Sequence, residues 1–157
     1  LVAERGIDRE TANMLVGLSR VSLLFMGLVA GWISDRIGPK PTITAVILFN
    51  GLMTILLGLL PGRWVLLMVF LQPTLTGCFF PAGFMILSQI VPSHSRNLSV
   101  SLTMFIAYLI GAGFAPMLFG VFGDRGAFGT SFILAGGLML LSVLLLPRLI
   151  LREESKN

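Results

Sequence analysis

The sequence has few of the side chains that carry catalytic or metal chemistry. It contains one cysteine, Cys78, and one histidine, His94, among 157 residues. A disulfide within the chain needs two cysteines, and a structural zinc site needs about four Cys or His ligands. No histidine, aspartate or glutamate lies inside a long apolar run, where a membrane enzyme would need such a group. We therefore expect no catalytic residue, no metal site, no cofactor and no enzyme activity.

Charge is scarce as well. Only 11% of the residues are charged, 55% are hydrophobic, and the mean hydropathy is +0.95. A typical soluble domain has about 25% charged residues, so a soluble enzyme is excluded. The net charge is +4, and the basic residues lie mostly at the ends of apolar runs and in short loops, so we expect no nucleic-acid partner. The N-terminus does not have the arrangement of a signal peptide.

Five apolar runs are long enough to cross the roughly 30 Å of a bilayer, which takes about 20 helical residues. They cover residues 12–33, 42–60, 64–91, 98–122 and 129–150. The runs do not alternate in polarity, and open strand edges are not tolerated in lipid, so strands are excluded. The sequence predicts an all-α integral membrane protein, with a five-helix bundle over 12–150, a preceding segment 1–11 and a tail 151–157. The short connections make successive helices antiparallel.

Basic residues predict the orientation. One side of the bundle would carry Arg36, Lys40, Arg96, Arg148, Arg152 and Lys156, and the other Arg5, Arg9, Arg63 and Arg125. The more basic side faces the cytoplasm in most membrane proteins. We therefore expect a multi-pass protein of the inner or plasma membrane with a cytoplasmic C-terminus.

The connection between the first two runs has a distinctive pattern, with Gly31, Asp35, Arg36, Gly38 and Lys40 at fixed spacing. Gly31 permits a close helix approach, and Gly38 permits a turn that other residues avoid. Asp35 can accept hydrogen bonds at a helix N-terminus or form an ion pair with a basic residue, while Arg36 and Lys40 hold the loop on the cytoplasmic side. An ordinary polar turn is the alternative interpretation.

This spacing resembles the signature loop of the major facilitator superfamily, Gly-x-x-x-Asp-Arg-x-Gly-x-Lys or Arg, although Pro39 stands where a basic residue is usual. Residues 111–116, followed by Gly120 and Asp124, look like the Gly- and Pro-rich eleventh helix of that superfamily. The resemblance implies that the five runs are helices eight to twelve and that residues 1–3 end helix seven. It also implies a missing N-terminal six-helix half as a partner, beside the lipid bilayer and a small-molecule substrate.

Arg20 is the most informative residue inside a run. It lies eight residues after Ala12, about 12 Å deep, where an arginine costs at least about 2.5 kcal/mol. A stripe of mostly small or polar residues contains it: Asn13, Gly17, Arg20, Leu24, Gly27 and Gly31. We expect this stripe to face protein or a cavity, with Arg20 binding an anionic group such as a carboxylate. Pairing with an acid on the missing half, or snorkelling to the membrane surface, are the alternatives.

Two further polar residues lie at similar depth. Gln72 is eight residues past Trp64, and Tyr108 is ten past Leu98. Both are candidates to complete a substrate pocket with Arg20, and an interhelical hydrogen bond is the alternative for each. Asn50, at mid-depth in the second run, is expected to make a packing hydrogen bond.

Proline and glycine interrupt two of the runs. Pro73 and Pro81 lie in the third run, and Gly111, Gly113 and Pro116 lie in the fourth. Proline removes a backbone hydrogen bond and kinks a helix. Transporters use such breaks for gating, although a static bend that improves packing is equally compatible.

The resemblance implies a secondary active transporter, a symporter or antiporter, that moves a small solute by alternating access. Arg20 favours an organic anion as that solute. No nucleotide-binding Gly-x-x-x-x-Gly-Lys loop is present, which argues against ATP-driven transport. The alternatives are a membrane-embedded assembly or sensor subunit and, less favoured, a membrane enzyme. Because the chain begins with the apparent tail of an apolar segment, we expect it to be a C-terminal fragment.

Overall fold

The computed structural model describes residues 9–60 and 64–148, and those residues are almost entirely helical. Segments 1–8, 61–63 and 149–157 lie outside the described residues, so the expected end of a preceding helix, Arg63 and the expected cytoplasmic tail 151–157 are not covered. The helices are α1 Arg9–Ile37, α2 Pro39–Leu59, α3 Trp64–Thr76, α4 Phe79–Ile90, α5 Arg96–Tyr108, α6 Ala115–Asp124 and α7 Phe128–Ser142. A π-helical segment, Leu109–Phe114, joins α5 to α6, and 3₁₀ turns occupy Ser93–Ser95 and Val143–Arg148.

Within residues 9–60 and 64–148, five helical spans are long and apolar enough to cross a membrane, which confirms the predicted fold class. They are Asn13–Ile37, Pro39–Leu59, Trp64–Ile90, Ser93–Asp124 and Phe128–Pro147. We number them as the first to fifth span. The fifth span combines α7 with the 3₁₀ turn that follows it.

The connection between the first two spans is much shorter than the expected loop over residues 34–41. Helix α1 continues through Ile37 and α2 begins at Pro39, so Gly38 alone links them. Gly38 has φ +94°, which only glycine adopts without strain, and its N–H donates to the Ser34 carbonyl at 3.0 Å. Pro39 needs no N–H partner in the first turn of a helix. Polar residues mark the end of the apolar run, but they do not end the helix.

Helix α2 is the centre of the described bundle. It packs most extensively against α7 and also contacts α3 and α4, while α1 packs against α3 and α4. The α2–α7 contact is made by glycines. A Cβ atom on Gly136 would lie 2.6 Å from the Gly51 carbonyl oxygen, and one on Gly129 would lie 2.7 Å from that of Gly58. Small residues let membrane helices approach to backbone contact in this way.

The third span is two helices and not one. Helix α3 ends at Thr76 and α4 begins at Phe79, with a turn at Gly77 and Cys78. Pro81 has no N–H to donate to the Gly77 carbonyl, so the regular helix is interrupted one turn before it. Pro73, by contrast, lies within α3. The break meets α1 closely, because a Cβ atom on Gly77 would lie 2.7 Å from the Leu23 carbonyl oxygen.

The fourth span is the least covered by the rest of the described chain. None of its most apolar stretch is buried, and its more extensive packing is against neighbours in sequence, α5 against α4 and α6 against α7. Its middle is the π-helical segment, in which the Ala115 N–H donates to the Ile110 carbonyl. Pro116 cannot donate to the Ala112 carbonyl and would crowd it, and the wider π turn relieves this conflict.

Candidate substrate-binding site

Arg20 lies on a face of α1 that no described helix covers, and its side chain is exposed. It is five residues from Phe25, the middle of the first span, and therefore about 7.5 Å from the centre of that span. Among the described residues, its guanidinium takes part in no salt bridge or hydrogen bond. The Arg20 guanidinium therefore lies within an apolar span, and its charged hydrogen-bond donors are open to a group that lies beside α1.

The stripe of small and polar residues on α1 divides into two parts. Asn13 and Gly17 are exposed beside Arg20. Gly27 and Gly31 instead approach the third span, where a Cβ atom on Gly27 would lie 3.8 Å from the Gly77 carbonyl oxygen. The half of the stripe near Gly31 packs against a helix, and the half around Arg20 is left uncovered.

Gln72 lies in α3, half-buried, directly before Pro73. Its carbonyl oxygen accepts a hydrogen bond from the Thr76 hydroxyl at 2.9 Å. Asn50 on α2 donates its side-chain Nδ2 to the same Thr76 Oγ1 at 2.9 Å and is buried. The expected packing hydrogen bond of Asn50 is therefore confirmed. Its Oδ1 atom is buried without a hydrogen-bond partner in the described part of the chain.

Tyr108 ends α5 and lines a cavity of about 290 Å³. The other lining residues are Phe80, Met104, Ala107, Gly111 and Ala112. The tyrosine is 70% exposed, and it is the one residue of this lining whose side chain can donate a hydrogen bond. Gly111 keeps the π-helical wall of the cavity free of side-chain bulk, since nothing lies within 4 Å of a Cβ atom built there.

The structure does not gather the three candidate binding residues into one pocket. Neither Arg20 nor Gln72 lines the cavity beside Tyr108. The reason is the packing: α1 lies against α3 and α4, whereas the fourth span contacts α4 and α7. Arg20 and Tyr108 therefore lie on two uncovered faces of the described bundle.

Sequence reasoning missed Phe80, which forms part of the cavity wall. Its ring stacks on Phe84 at a centroid distance of 6.4 Å and meets the edge of Phe79 at 6.2 Å. Phenylalanine is common on both lipid-facing and protein-facing surfaces of membrane helices, so composition gave no signal for it. Its position directly before Pro81, an expected kink, was the one hint that the sequence offered.

Comparison with known proteins decides the family. The family model described as Major Facilitator Superfamily matches residues 1–157, the whole sequence. This chain belongs to the major facilitator superfamily. The recognition made from the signature loop is confirmed.

Two curated relatives are similar to this superfamily member. One is a phosphoglycerate transporter protein of Salmonella typhimurium, 31% identical over 122 residues, which are 71% of this chain and 25% of that protein. The other is a probable anion transporter 7 of Oryza sativa subsp. japonica, 29% identical over 128 residues, which are 78% of this chain and 29% of that protein. The chain thus spans less than a third of the length of either relative. No solved structure matches it significantly.

The signature loop of this superfamily member lies at the end of the bundle around Gly38. Asp35 and Arg36 are exposed there, and the Arg36 guanidinium carbon lies 5.0 Å from the centroid of the Trp32 ring. That distance is within the range of a cation–π contact. Lys40 is half-buried in the first turn of α2, where its carbonyl accepts a hydrogen bond from the Thr44 hydroxyl at 2.8 Å. Asp35 forms no ion pair with any residue in 9–60 or 64–148.

Proposed function

We propose that this superfamily member acts in a secondary active transporter that moves a small organic anion across the membrane by alternating access. The observation that carries the proposal is Arg20, an exposed guanidinium inside an apolar span, unpaired within the described ranges. An arginine at that depth costs at least about 2.5 kcal/mol unless an anion, a polar partner or water meets it. Its planar donors fit a carboxylate or a phosphate in bidentate fashion.

The relatives support the same substrate class. Their names, phosphoglycerate transporter protein and probable anion transporter 7, both specify anions. Phosphoglycerate carries a carboxylate and a phosphate, the two groups that an arginine fork binds best. The transport assignment also fits the positions of the acids and the histidine in the described spans. Asp35, His94 and Asp124 all lie at the ends of their spans, and moving a solute needs binding groups and no chemical step.

The remaining contacts of the substrate would come from Tyr108 and Gln72. The cavity of about 290 Å³ beside Tyr108 is large enough for a small metabolite and opens beside the π-helical segment. Gln72 lies in the helix that packs directly against α1. In this proposal the pocket is completed by the superfamily's N-terminal six-helix half, which covers the faces of α1 and of the fourth span left uncovered here.

Alternating access needs helices that bend at defined places. We assign this role to the Gly77–Cys78 break beside Pro81, and to the π-helical segment with Gly111, Gly113 and Pro116. At both places a proline has already removed one backbone hydrogen bond, so bending there costs less than in a regular helix. Pro73 would add flexibility within α3. The signature loop and the C-terminal tail face the cytoplasm in this arrangement.

Uptake into proteoliposomes tests the proposal. The full native protein is reconstituted, and entry of radiolabelled 3-phosphoglycerate is compared with entry of uncharged glycerol. Arg20→Gln should reduce anion uptake by about 10- to 100-fold, because a hydrogen bond to a charged group contributes about 1.5–3 kcal/mol. Arg125→Gln, an exposed arginine just beyond α6, is the control and should transport normally.

The two ways in which the proposal can fail are distinguishable. Uptake at normal affinity by Arg20→Gln, with both variants equally well expressed, would show that Arg20 does not bind the substrate. No uptake of any tested solute by the native protein would favour the alternative of an assembly or sensor subunit.

A further inference from the structure

A second, almost wholly apolar space lies between the second, third, fourth and fifth spans. It adjoins the cavity beside Tyr108, because Phe80 and Met104 line both spaces. We call it the apolar groove; its volume is about 200 Å³. Its lining includes Ile43, Gly83, Ile86, Ile90, Thr103 and Leu146. The groove is open to the outside of the bundle along part of its length.

The groove follows α4 from one end to the other. The lining residues Phe79, Gly83, Ile86 and Ile90 recur every three to four positions and so share one face of the helix. From Phe79 to Ile90 the helix rises about 16 Å, close to half of the roughly 30 Å hydrocarbon thickness. The groove therefore runs along the membrane normal for about the depth of one leaflet.

The dimensions and lining of the groove indicate what kind of molecule can occupy it. A volume of about 200 Å³ spread over that length is too narrow for a helix of about 10 Å diameter. Its walls offer almost no hydrogen-bond partners, so ordered water is not expected to fill it. A single hydrocarbon chain fits both the width and the apolar lining.

The end of the groove nearest Ile90 lies close to a charged residue, Arg96. Arg96, the first residue of α5, lies seven residues before Thr103 and hence on the same face, two turns away. Its Nη2 donates to the Ser88 carbonyl at 3.0 Å, next to the lining residue Leu87. Its Nε is buried and has no hydrogen-bond partner among residues 9–60 and 64–148.

Positive charge predominates at this end of the bundle. Arg36 and Lys40 lie there with Arg96, whereas Asp35 is the acid near them within the described chain; Glu10 and Asp124 lie at the opposite end. Clusters of basic residues at a membrane surface attract anionic lipid headgroups. Arg96 is half-buried, and a phosphate beside it would accept hydrogen bonds from the guanidinium donors that the Ser88 carbonyl leaves unused.

We propose that the apolar groove holds one acyl chain of an anionic phospholipid from the adjacent leaflet, with its phosphate bound by Arg96. The chain fills the space between α4 and α5, whose direct packing is slight. The lipid thereby stabilises the packing of the fourth span against the rest of the bundle. This role is independent of the substrate that the protein transports.

Photo-crosslinking tests the proposal on the full native protein in bilayers. Phosphatidylglycerol with a diazirine near the middle of one acyl chain is compared with phosphatidylcholine carrying the same chain. Mass spectrometry of the cross-linked peptides should show at least a threefold excess of phosphatidylglycerol adducts on residues 79–90 and 103–104. The exposed, lipid-facing surface of α1 around Phe25 and Leu28 should show no such preference.

Two variants with matched controls separate the chain from the headgroup. Gly83→Leu should abolish groove labelling, because even a Cβ atom there would lie 3.6 Å from the Phe79 ring and a longer side chain enters the groove. Gly137→Leu, where a Cβ atom meets nothing within 4 Å, should leave it unchanged. Arg96→Gln should reduce labelling by phosphatidylglycerol to the level of phosphatidylcholine, and Arg125→Gln should not.

Three results would overturn the proposal. Equal labelling by the two lipids in the unmodified protein would show that the anionic headgroup does not contribute to lipid binding. Groove labelling that persists in Gly83→Leu would identify the adducts as bulk lipid. No adducts on residues 79–90 would mean that a protein segment covers the groove. If Gly83→Leu does not fold, the Arg96→Gln comparison alone decides.

Discussion

Gly51 on α2 and Gly136 on α7 lie in backbone contact, so that a Cβ atom on Gly136 would lie 2.6 Å from the Gly51 carbonyl oxygen. Seven residues away on each helix, Gly58 and Gly129 repeat the contact. Seven residues are about two helical turns, so the two pairs lie on one face of two antiparallel helices. This pair of contacts joins the second span to the fifth and positions the centre of the bundle.

Replacing Gly136 by alanine should therefore destabilise the protein. The added methyl group would meet the Gly51 carbonyl and the Ile55 side chain, both at 2.6 Å, and the helices would have to separate. Overpacking of this kind costs about 1–3 kcal/mol. We expect a clear fall in the apparent Tm measured by fluorescence-detected size-exclusion after heating. Gly137→Ala is the matched control and should change little; equal Tm values for the two variants would contradict the close contact.

Gly77→Ala should loosen the contact between α1 and the third span. A Cβ atom at Gly77 would lie 2.7 Å from the Leu23 carbonyl oxygen, a backbone atom that cannot move without shifting the helix. Cys78, the next residue, is buried, and its Sγ lies 3.5 Å from the Met26 carbonyl oxygen. We expect N-ethylmaleimide to label Cys78 several-fold faster in Gly77→Ala. Gly17→Ala, on the uncovered face of α1, should leave the rate unchanged, and an unchanged rate in both would refute the contact.

Because Asn50 and Thr76 share a hydrogen bond, we expect substitutions of the two residues to lower the stability by unequal amounts. Thr76→Val would leave the buried Asn50 amide without its partner, at a cost of about 1–3 kcal/mol. Asn50→Leu removes that amide together with its unpaired Oδ1 and should cost less. Thermal stability of the two variants and of the double variant measures the difference. A larger loss in Asn50→Leu than in Thr76→Val would show that the Oδ1 atom is satisfied.

Pro116→Ala should convert part of the π-helical segment to regular helix. Alanine restores an N–H that can donate to the Ala112 carbonyl, and the wider turn is then no longer needed. We expect hydrogen exchange of residues 109–116 to slow by about tenfold or more and anion uptake to fall if bending there drives transport. Pro41→Ala is the control, since a proline in the first turn of α2 removes no intrahelical bond. Unchanged exchange in Pro116→Ala would mean that another feature causes the π turn.

The five spans and the family could be predicted because both depend on local features of the sequence. Span length and hydropathy are sums over about 20 neighbouring residues, and the signature loop is a fixed spacing from Gly31 to Lys40. The positions of the ends of the spans were predicted less accurately. Ser34, Asp35 and Arg36 are polar, but polar residues near a membrane surface remain helical, so α1 extends to Ile37.

The sequence by itself therefore determined that this chain belongs to the major facilitator superfamily, and that the part the structure describes has five membrane helices with an arginine inside the first span. The tertiary structure decided which faces meet: Gly51 with Gly136, Gly77 with Leu23, and no described helix against Arg20. Lipid tails are as apolar as leucine, so hydropathy does not distinguish a lipid-facing side chain from one that faces another helix. Helix rotation depends on close backbone contacts between residues far apart in the chain, and these exist only once the helices are packed.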